Sequence, residues 1–517
     1  MSQVRNKGNG IIRNTAFLYI RMLFLMFVSL FTSRIVLQNL GIIDFGIYNI
    51  VGGFTSMLVF FRSSLANATQ RYLSIKLGKN DTEGAISVFR SHQTLYIFIA
   101  IIVLVLAETV GLWFVCHKLV IPPERINAAI WVYQFAVLSS CLTILNVVYD
   151  AAIIAHEDMH VYSYIGIFEG LAKLAIAYAI ALISSDRLTV YALLFFLLTL
   201  CTQIFYSFIC KRKYDECRYS FSWNTGGVKE ICSFIGWNMI GTFVYFLNGQ
   251  GLNILLNLFF GPAVNAARGI SYQVNGAISS FSTNFYTAIR PRIMKAYAAG
   301  ESPQVLNLFF RSSKYSVFLL WLFCLPVMLC IDPILAVWLT HVPEYTAAFT
   351  VWILAHSMVY VLDNPMWTIV LATGKLKRYV LVGNGIFILA FLFSYICLRK
   401  GCSPVSVFQI LFAVRIVYIV AALLTVRQYV SFPLKQYFIQ VIRPSISVIG
   451  SSGGLCLLLS KWLQPTIAGY SMLFGTCILS TLCLTWLLGM TGEEKGEVGK
   501  RIRTILPAIN RYRIKKT

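Results

Sequence analysis

The stretch Tyr96–Val115, YIFIAIIVLVLAETVGLWFV, decides the fold class. It runs twenty residues with one charged side chain, Glu108. As a helix it would be about 30 Å long, the thickness of a bilayer's hydrocarbon core. Its apolar residues follow neither the 3.6-residue stripe of a half-buried helix nor the alternation of a strand, so every side of the helix faces an apolar medium. Tyr191–Ile209 repeats the pattern with no charge at all. One such run fits the centre of a large soluble protein, but a succession does not. Outer-membrane strands alternate with a polar lumen face, and these runs do not. Helices, which satisfy their own backbone hydrogen bonds in lipid, are the remaining solution.

Composition agrees with that reading along the whole chain. Of 517 residues, 58% are hydrophobic and only 12% charged, with mean hydropathy +0.73. Soluble domains carry about 25% charged residues. The pattern predicts an all-α polytopic membrane protein of about fourteen transmembrane helices. Residues 1–210 form an N-terminal lobe of six spans, 211–232 a basic cytoplasmic linker, and 233–426 a C-terminal lobe of six spans. Residues 427–490 add two spans, and 491–517 form a basic cytoplasmic tail. In that tail Ile502, Ile505, Leu506 and Ile509 recur at helical spacing among basic residues, which suits either an interfacial helix on an anionic leaflet or a solvated tail. The 13 cysteines are scattered through apolar runs without a C-x-x-C pair, and read as small, reduced, buried residues.

The net charge of +23 lies between spans, not on one face of a soluble domain, which argues against nucleic acid. Alternate connections hold 32 Lys and Arg on one side against 7 on the other. By the positive-inside rule both termini are expected on the cytoplasmic side.

An internal repeat gives the architecture. Arg71 and Arg90 stand 19 residues apart and end in Phe89-Arg90-Ser91; Arg292 and Arg311 stand 19 apart and end in Phe310-Arg311-Ser312. Val148-Tyr149-Asp150 is echoed by Val361-Leu362-Asp363. The copies fall six spans apart, so they share orientation: two six-helix lobes related by a parallel repeat, plus two C-terminal helices.

With these elements in place, the chain resembles the polysaccharide (O-antigen or capsule repeat-unit) flippases of the multidrug/oligosaccharidyl-lipid/polysaccharide exporter superfamily. Asn14-Thr15 entering the first span, the turn Leu40-Gly41-x-x-Asp44-Phe45-Gly46-x-Tyr48 and the repeated basic element carry the resemblance. The third loop departs from it, with His156-Glu157-Asp158 where members often have a basic residue. The resemblance implies two lobes around a central cavity and a lipid-linked oligosaccharide as cargo. The expected partners are that cargo, membrane lipids and a polysaccharide polymerase or glycosyltransferases.

Such cargo needs cations for its phosphates and polar groups for its sugars, and charges inside spans are functional candidates. Arg21, a third of the way into the first span, is expected to face the cargo. Arg290 closes the eighth span behind a polar stripe that includes Gln273, Ser280 and Thr283. Asn253 and Asn257 form a polar face on the seventh span. Arg62 ends the second, as phosphate ligand or positive-inside anchor. The stripes suit a sugar-facing wall or interhelical hydrogen bonds. Glu169 and Lys173, four apart in one span, share a face as a structural pair or a proton-coupling site. Asp150 and Asp363, at equivalent repeat positions, read as gate residues or helix caps. Arg415, central in its span, requires a partner that the sequence does not identify.

His156-Glu157-Asp158-Met159-His160 matches the H-E-x-x-H zinc pattern, but lies in a turn between spans; an intramembrane metalloprotease is the weaker alternative, and a cation-coupled multidrug exporter the stronger one. The main reading calls for no enzyme activity, cofactor or metal. It is a flippase carrying an undecaprenyl-pyrophosphate-linked repeat unit for surface polysaccharide, such as the O-antigen of lipopolysaccharide.

Overall fold

The computed structural model describes residues 2–58, 62–78, 81–156, 158–183, 185–217, 244, 246–373 and 375–497. The linker beyond Cys217, the first half of the expected seventh span and the tail beyond Glu497 lie outside them, as do Glu157 and the side chain of His160. The protein is an all-α, multi-pass membrane protein.

Among the described residues, eleven helices are long and apolar enough to cross a membrane. Three further crossings bring the total to about fourteen. The first candidate, Phe24–Ser56, lies in α1 (Ser2–Leu58), which contains two expected spans joined at Gly41. Gly41 has φ 79° and ψ 172°, a backbone state that favours glycine, and it breaks the helix. The seventh span ends in Leu252–Phe260, and the eighth is the 37-residue helix Pro262–Ala298, too polar along its length to count as apolar. Gly261, at φ 78°, separates the two, and Pro262 starts the next helix where its missing N–H costs nothing.

Local capping sets several starts. Asp81 accepts a hydrogen bond from the Gly84 amide at 2.8 Å and opens Thr82–Leu106. Asp186 does the same for Arg187–Lys213, whose last turn carries Lys211, Arg212 and Lys213 against the negative end of the dipole. Large apolar side chains are exposed along most spans, among them Ile102, Val105, Phe205, Phe208, Val417 and Leu458. In a membrane protein these face lipid.

The chain forms two compact units. The first comprises Met1–Gln273, Trp338–Phe349 and Phe387–Ile410. Its core contains Ile47, Ile50, Val132, Tyr133 and Val137, with a second cluster around Phe89, Tyr96, Ile144 and Val148. The second unit comprises Val274–Val337, Thr350–Ile386 and Leu411–Thr517. There Leu325, Cys330, Cys456, Leu473 and Cys477 are buried together, and Trp321 Nε1 donates to Ser452 Oγ at 2.9 Å.

Candidate functional site

The second unit contains a polar cluster built from four helical segments: α2 (Thr346–Tyr360), α3 (Asp363–Thr373), α4 (Leu376–Arg399) and α5 (Val405–Arg427). Arg415 lies midway along the 23-residue α5, about 15 Å from either end by helical rise, and is 6% exposed. A bare charge at that depth is costly, so its surroundings must compensate. Its Nε donates to His356 Nε2 at 3.1 Å. The guanidinium carbon lies 4.8 Å from the Tyr360 ring centre and 5.1 Å from that of Tyr418. Both contacts use the negative faces of the rings. Beside it, the Asp363 carboxylate accepts from the hydroxyl of Tyr418 at 2.9 Å and from that of Tyr379. His356 and two tyrosine rings are therefore among the partners of Arg415.

Arg290 is exposed near the end of Pro262–Ala298. Tyr286, one turn earlier, is within electrostatic reach of both Arg290 and Asp363. Its hydroxyl is buried with no hydrogen-bond partner among the described residues. On the same helix Ser280 donates to the Ala277 carbonyl at 2.6 Å, and Thr283, which is exposed, to that of Ser279 at 3.0 Å. Asn275 Oδ1 accepts from Ser279 and, at 2.6 Å, from Ser357.

In the first unit Asn253 and Asn257 are 2% and 0% exposed. Asn257 Oδ1 accepts from the Val120 amide at 2.9 Å, and its Nδ2 donates to Asn265 Oδ1. Asn265 Nδ2 in turn donates at 2.8 Å to the backbone and side-chain oxygens of Asn253. These amides spend their hydrogen bonds on neighbouring backbone and on each other, the helix-joining role of polar groups in lipid. Gln273 Oε1 is buried with no hydrogen-bond partner among the described residues.

Arg268, on the same helix as Asn265, is 8% exposed. Its Nη2 donates to the Gly249 carbonyl at 2.6 Å, and its guanidinium carbon lies 4.4 Å from the Tyr272 ring centre. Gly249 belongs to the wide turn Leu247–Gly251, whose i to i+5 hydrogen bonding differs from the α-helical pattern around it. Among the described residues no carboxylate pairs with Arg268.

Several expected residues meet each other. Arg62 Nη2 lies 2.5 Å from Asp150 Oδ2, so a proposed phosphate ligand and a proposed gate residue form one ion pair. Glu169 and Lys173 pair at 2.6 Å with side chains about two-fifths exposed. Arg21 falls on α1, where side chains before Phe24 lie outside the described residues. His156 bonds Glu216 at 2.5 Å and stacks on Tyr214 at 4.0 Å between ring centres. Among the described residues no three metal-ligating side chains cluster.

Other residues emerge only in three dimensions. The turn motif is explained by packing: Asp44 holds Arg125 through Nε at 2.8 Å and Nη2 at 2.5 Å, and Arg125 also pairs with Asp186 at 2.7 Å. Burial alone would raise the Asp186 carboxyl, but hydrogen bonds from Thr189 and Arg125 overrule it and hold it below the ordinary range. A Cβ at Gly46 would sit 2.0 Å from the Pro262 carbonyl oxygen. Lys314 is 3% exposed within Ser302–Leu329 and pairs with Glu494 at 2.7 Å. His356 and Asp363 on one span, with Arg415 on another, were the sequence signal for the buried cluster: three ionisable residues in spans otherwise apolar.

No family model and no curated protein matches the chain. Solved structures do. The lipid II flippase MurJ, in an inward closed conformation, aligns with TM-score 0.69 at 13% identity, covering 91% of this chain and 98% of that one. An inward-facing multidrug resistance MATE family transporter of the MOP superfamily aligns with TM-score 0.65 at 12% identity, covering 80% and 98%. A MOP superfamily transporter from Pyrococcus furiosus aligns with TM-score 0.53 at 12% identity, covering 80% and 95%. At these identities the likeness shows the fold, and the chain has the fold of these transporters.

Proposed function

We propose that this protein is a flippase that moves an undecaprenyl-pyrophosphate-linked oligosaccharide across a bacterial inner membrane, alternating between inward- and outward-open states. The observation that carries the reading is Arg268. A permanently charged guanidinium is held within a spanning unit by a carbonyl and an aromatic face, with no carboxylate to neutralise it among the described residues. Its remaining N–H groups and positive charge suit a phosphate, whose oxygens match the guanidinium fork. Arg290, exposed at the far end of the same helix, would supply a second cationic station. Arg21 remains a third proposed station, with Gln273, Ser280 and Thr283 as sugar contacts. Arg62 is held by Asp150, and that pair is proposed as a gate.

The test is purified protein in proteoliposomes with a fluorescent lipid-linked oligosaccharide. Arg268→Gln is expected to slow flipping about tenfold, equivalent to roughly 1.4 kcal/mol of lost interaction, and Arg268→Lys to recover part of it. Cargo that crosses equally fast with and without protein would refute the proposal. The likeness to a multidrug transporter supports, as the second reading, a cation-coupled multidrug exporter. Changed drug susceptibility on deletion, with surface polysaccharide intact, would select it.

A further inference from the structure

We infer that His356 is a proton-binding site, and that its proton and its contact with Arg415 exclude one another. The purpose of such a site rests on the transport reading; its chemistry does not.

A guanidinium N–H only donates, so the 3.1 Å contact from Arg415 Nε requires a lone pair on His356 Nε2. The imidazole is therefore neutral, with its hydrogen on Nδ1. A proton arriving from water at Nε2 would turn the acceptor into a donor facing a donor. It would also place two cations in contact inside a membrane-spanning unit. Protonation of His356 thus requires the Arg415 guanidinium to move away, and the return of Arg415 requires the proton to leave.

The surroundings define this pair. From its own helix Tyr360 stacks on His356, ring centres 6.4 Å apart at 11°. Arg415 is the charged group that acts on the imidazole. Beyond it stand Tyr418 on the same helix as Arg415, Asp363 at the start of α3 and Tyr379 on α4. Asp363 is held by two phenol donors, and it supplies a fixed negative charge near which a displaced Arg415 can remain. One turn before His356, Trp352 packs edge-on against Phe412, ring centres 5.6 Å apart, three residues before Arg415. That contact holds α2 and α5 together, so the His356–Arg415 hydrogen bond can break by a side-chain rotation alone.

The consequence is reciprocal linkage. An anionic group that draws Arg415 away makes His356 a better base, and a proton on His356 releases Arg415 to bind an anion. Proton uptake and anion binding then favour one another.

The full-length protein, labelled with 15N-histidine in lipid nanodiscs, provides the direct test, with His356→Gln assigning the resonance. The wild type is expected to show Nδ1 protonated and Nε2 bare at pH 7. In Arg415→Gln the same imidazole should take a proton at higher pH than in the wild type, because the donor that occupies Nε2 is gone. A protonated Nε2 in the wild type at pH 7, or identical titration in the two proteins, would overturn the inference. If Arg415→Gln does not fold, Arg415→Lys serves: its ammonium also donates, so the bare Nε2 should persist.

A transport arm uses His356→Gln, whose amide oxygen still accepts from Arg415. Flipping by the wild type is expected to rise as the medium is made more acid, and flipping by the variant to be flat. A variant that keeps the wild-type profile counts against the inference. Should the wild type move no cargo, the transport reading fails while the resonance data still decide the protonation claim.

Discussion

Asp150 and Asp363 occupy equivalent places in the repeat read from the sequence, each after Val and a large residue, yet they are neutralised differently. Asp150 makes a direct ion pair with Arg62, whose side chain is 42% exposed. Asp363 is held by the hydroxyls of Tyr379 and Tyr418, 3% and 5% exposed, beside an arginine sandwiched between two rings. A partly wet pair stands in the first unit and a buried, ring-lined network in the second. Similar local sequence places the acid; the residues brought in from other helices decide whether it is a simple pair or a coupled cluster.

The largest expected effect tests that contrast. Arg415→Leu removes the cation and leaves Asp363 with neutral donors in a buried setting. Taking the nearby cation away from a buried carboxylate costs about 3 kcal/mol, to be read as lost thermal stability in detergent. Asp363→Asn in the Arg415→Leu background should recover much of it, because no lone charge then remains. The equivalent Arg62→Leu is expected to cost less, because the Arg62 side chain is 42% exposed and water can reach the Asp150 carboxylate it leaves. Equal losses at Arg62 and Arg415 would erase the distinction between the two regions.

Lys314 and Glu494 sharpen it, as a pair more buried than either aspartate's. They are 3% and 5% exposed, and Glu494 also reaches back to the Thr491 amide at 2.8 Å while Thr491 Oγ1 accepts from the Glu494 amide, a reciprocal cap on the helix that follows the last span. Arg311 adds Glu497 at 2.9 Å. Lys314→Met should cost about 1–3 kcal/mol, since Arg311 and the Thr491 amide still reach the carboxylate, and Glu494→Gln on top should restore part of it in the same melting experiment.

The same pair has a pH signature. Burial pushes the Glu494 carboxyl up, but Lys314, the Thr491 amide and Arg311 outweigh burial and hold it below the ordinary glutamate value. A carboxyl depressed in the folded state contributes its full stability above the unfolded value, about 4.3, and loses it as pH falls through the lower folded value. The C-terminal helix should therefore become protease-sensitive only in acid below about pH 4. Glu494→Gln should remove that transition; an unchanged acid transition would show that other groups set it.

How much of this was legible varies with the range of the interaction. Span lengths, the Gly41 break and the odd depth of Arg415 follow from local pattern and could be read directly. The partners of Arg415 could not, since His356 lies 59 residues away and the pairing depends on which helix faces which. Asn253 and Asn257 illustrate a second limit: a polar stripe looks the same whether it lines a passage or binds a neighbour, and only Asn265 and the Val120 backbone reveal the latter. Lys314 illustrates a third. Hydropathy places a lysine at the membrane edge, and the acid that makes its burial possible lies 180 residues on, in a segment that reads as tail.

The smallest effect is expected at Glu169. It pairs with Lys173 one turn away at 2.6 Å, both side chains about two-fifths exposed, so the bond is local and wet compared with the Asp363 cluster. Glu169→Gln should change stability by no more than about 0.5 kcal/mol, the size of an i to i+4 ion pair on a helix. If proton coupling resides at His356, flipping by this variant should keep the wild-type rate and pH profile. A flat pH profile in Glu169→Gln, with the fold intact by melting, would move the coupling site into the first unit. The contrast between the two regions would then describe stability alone and say nothing about how transport is driven.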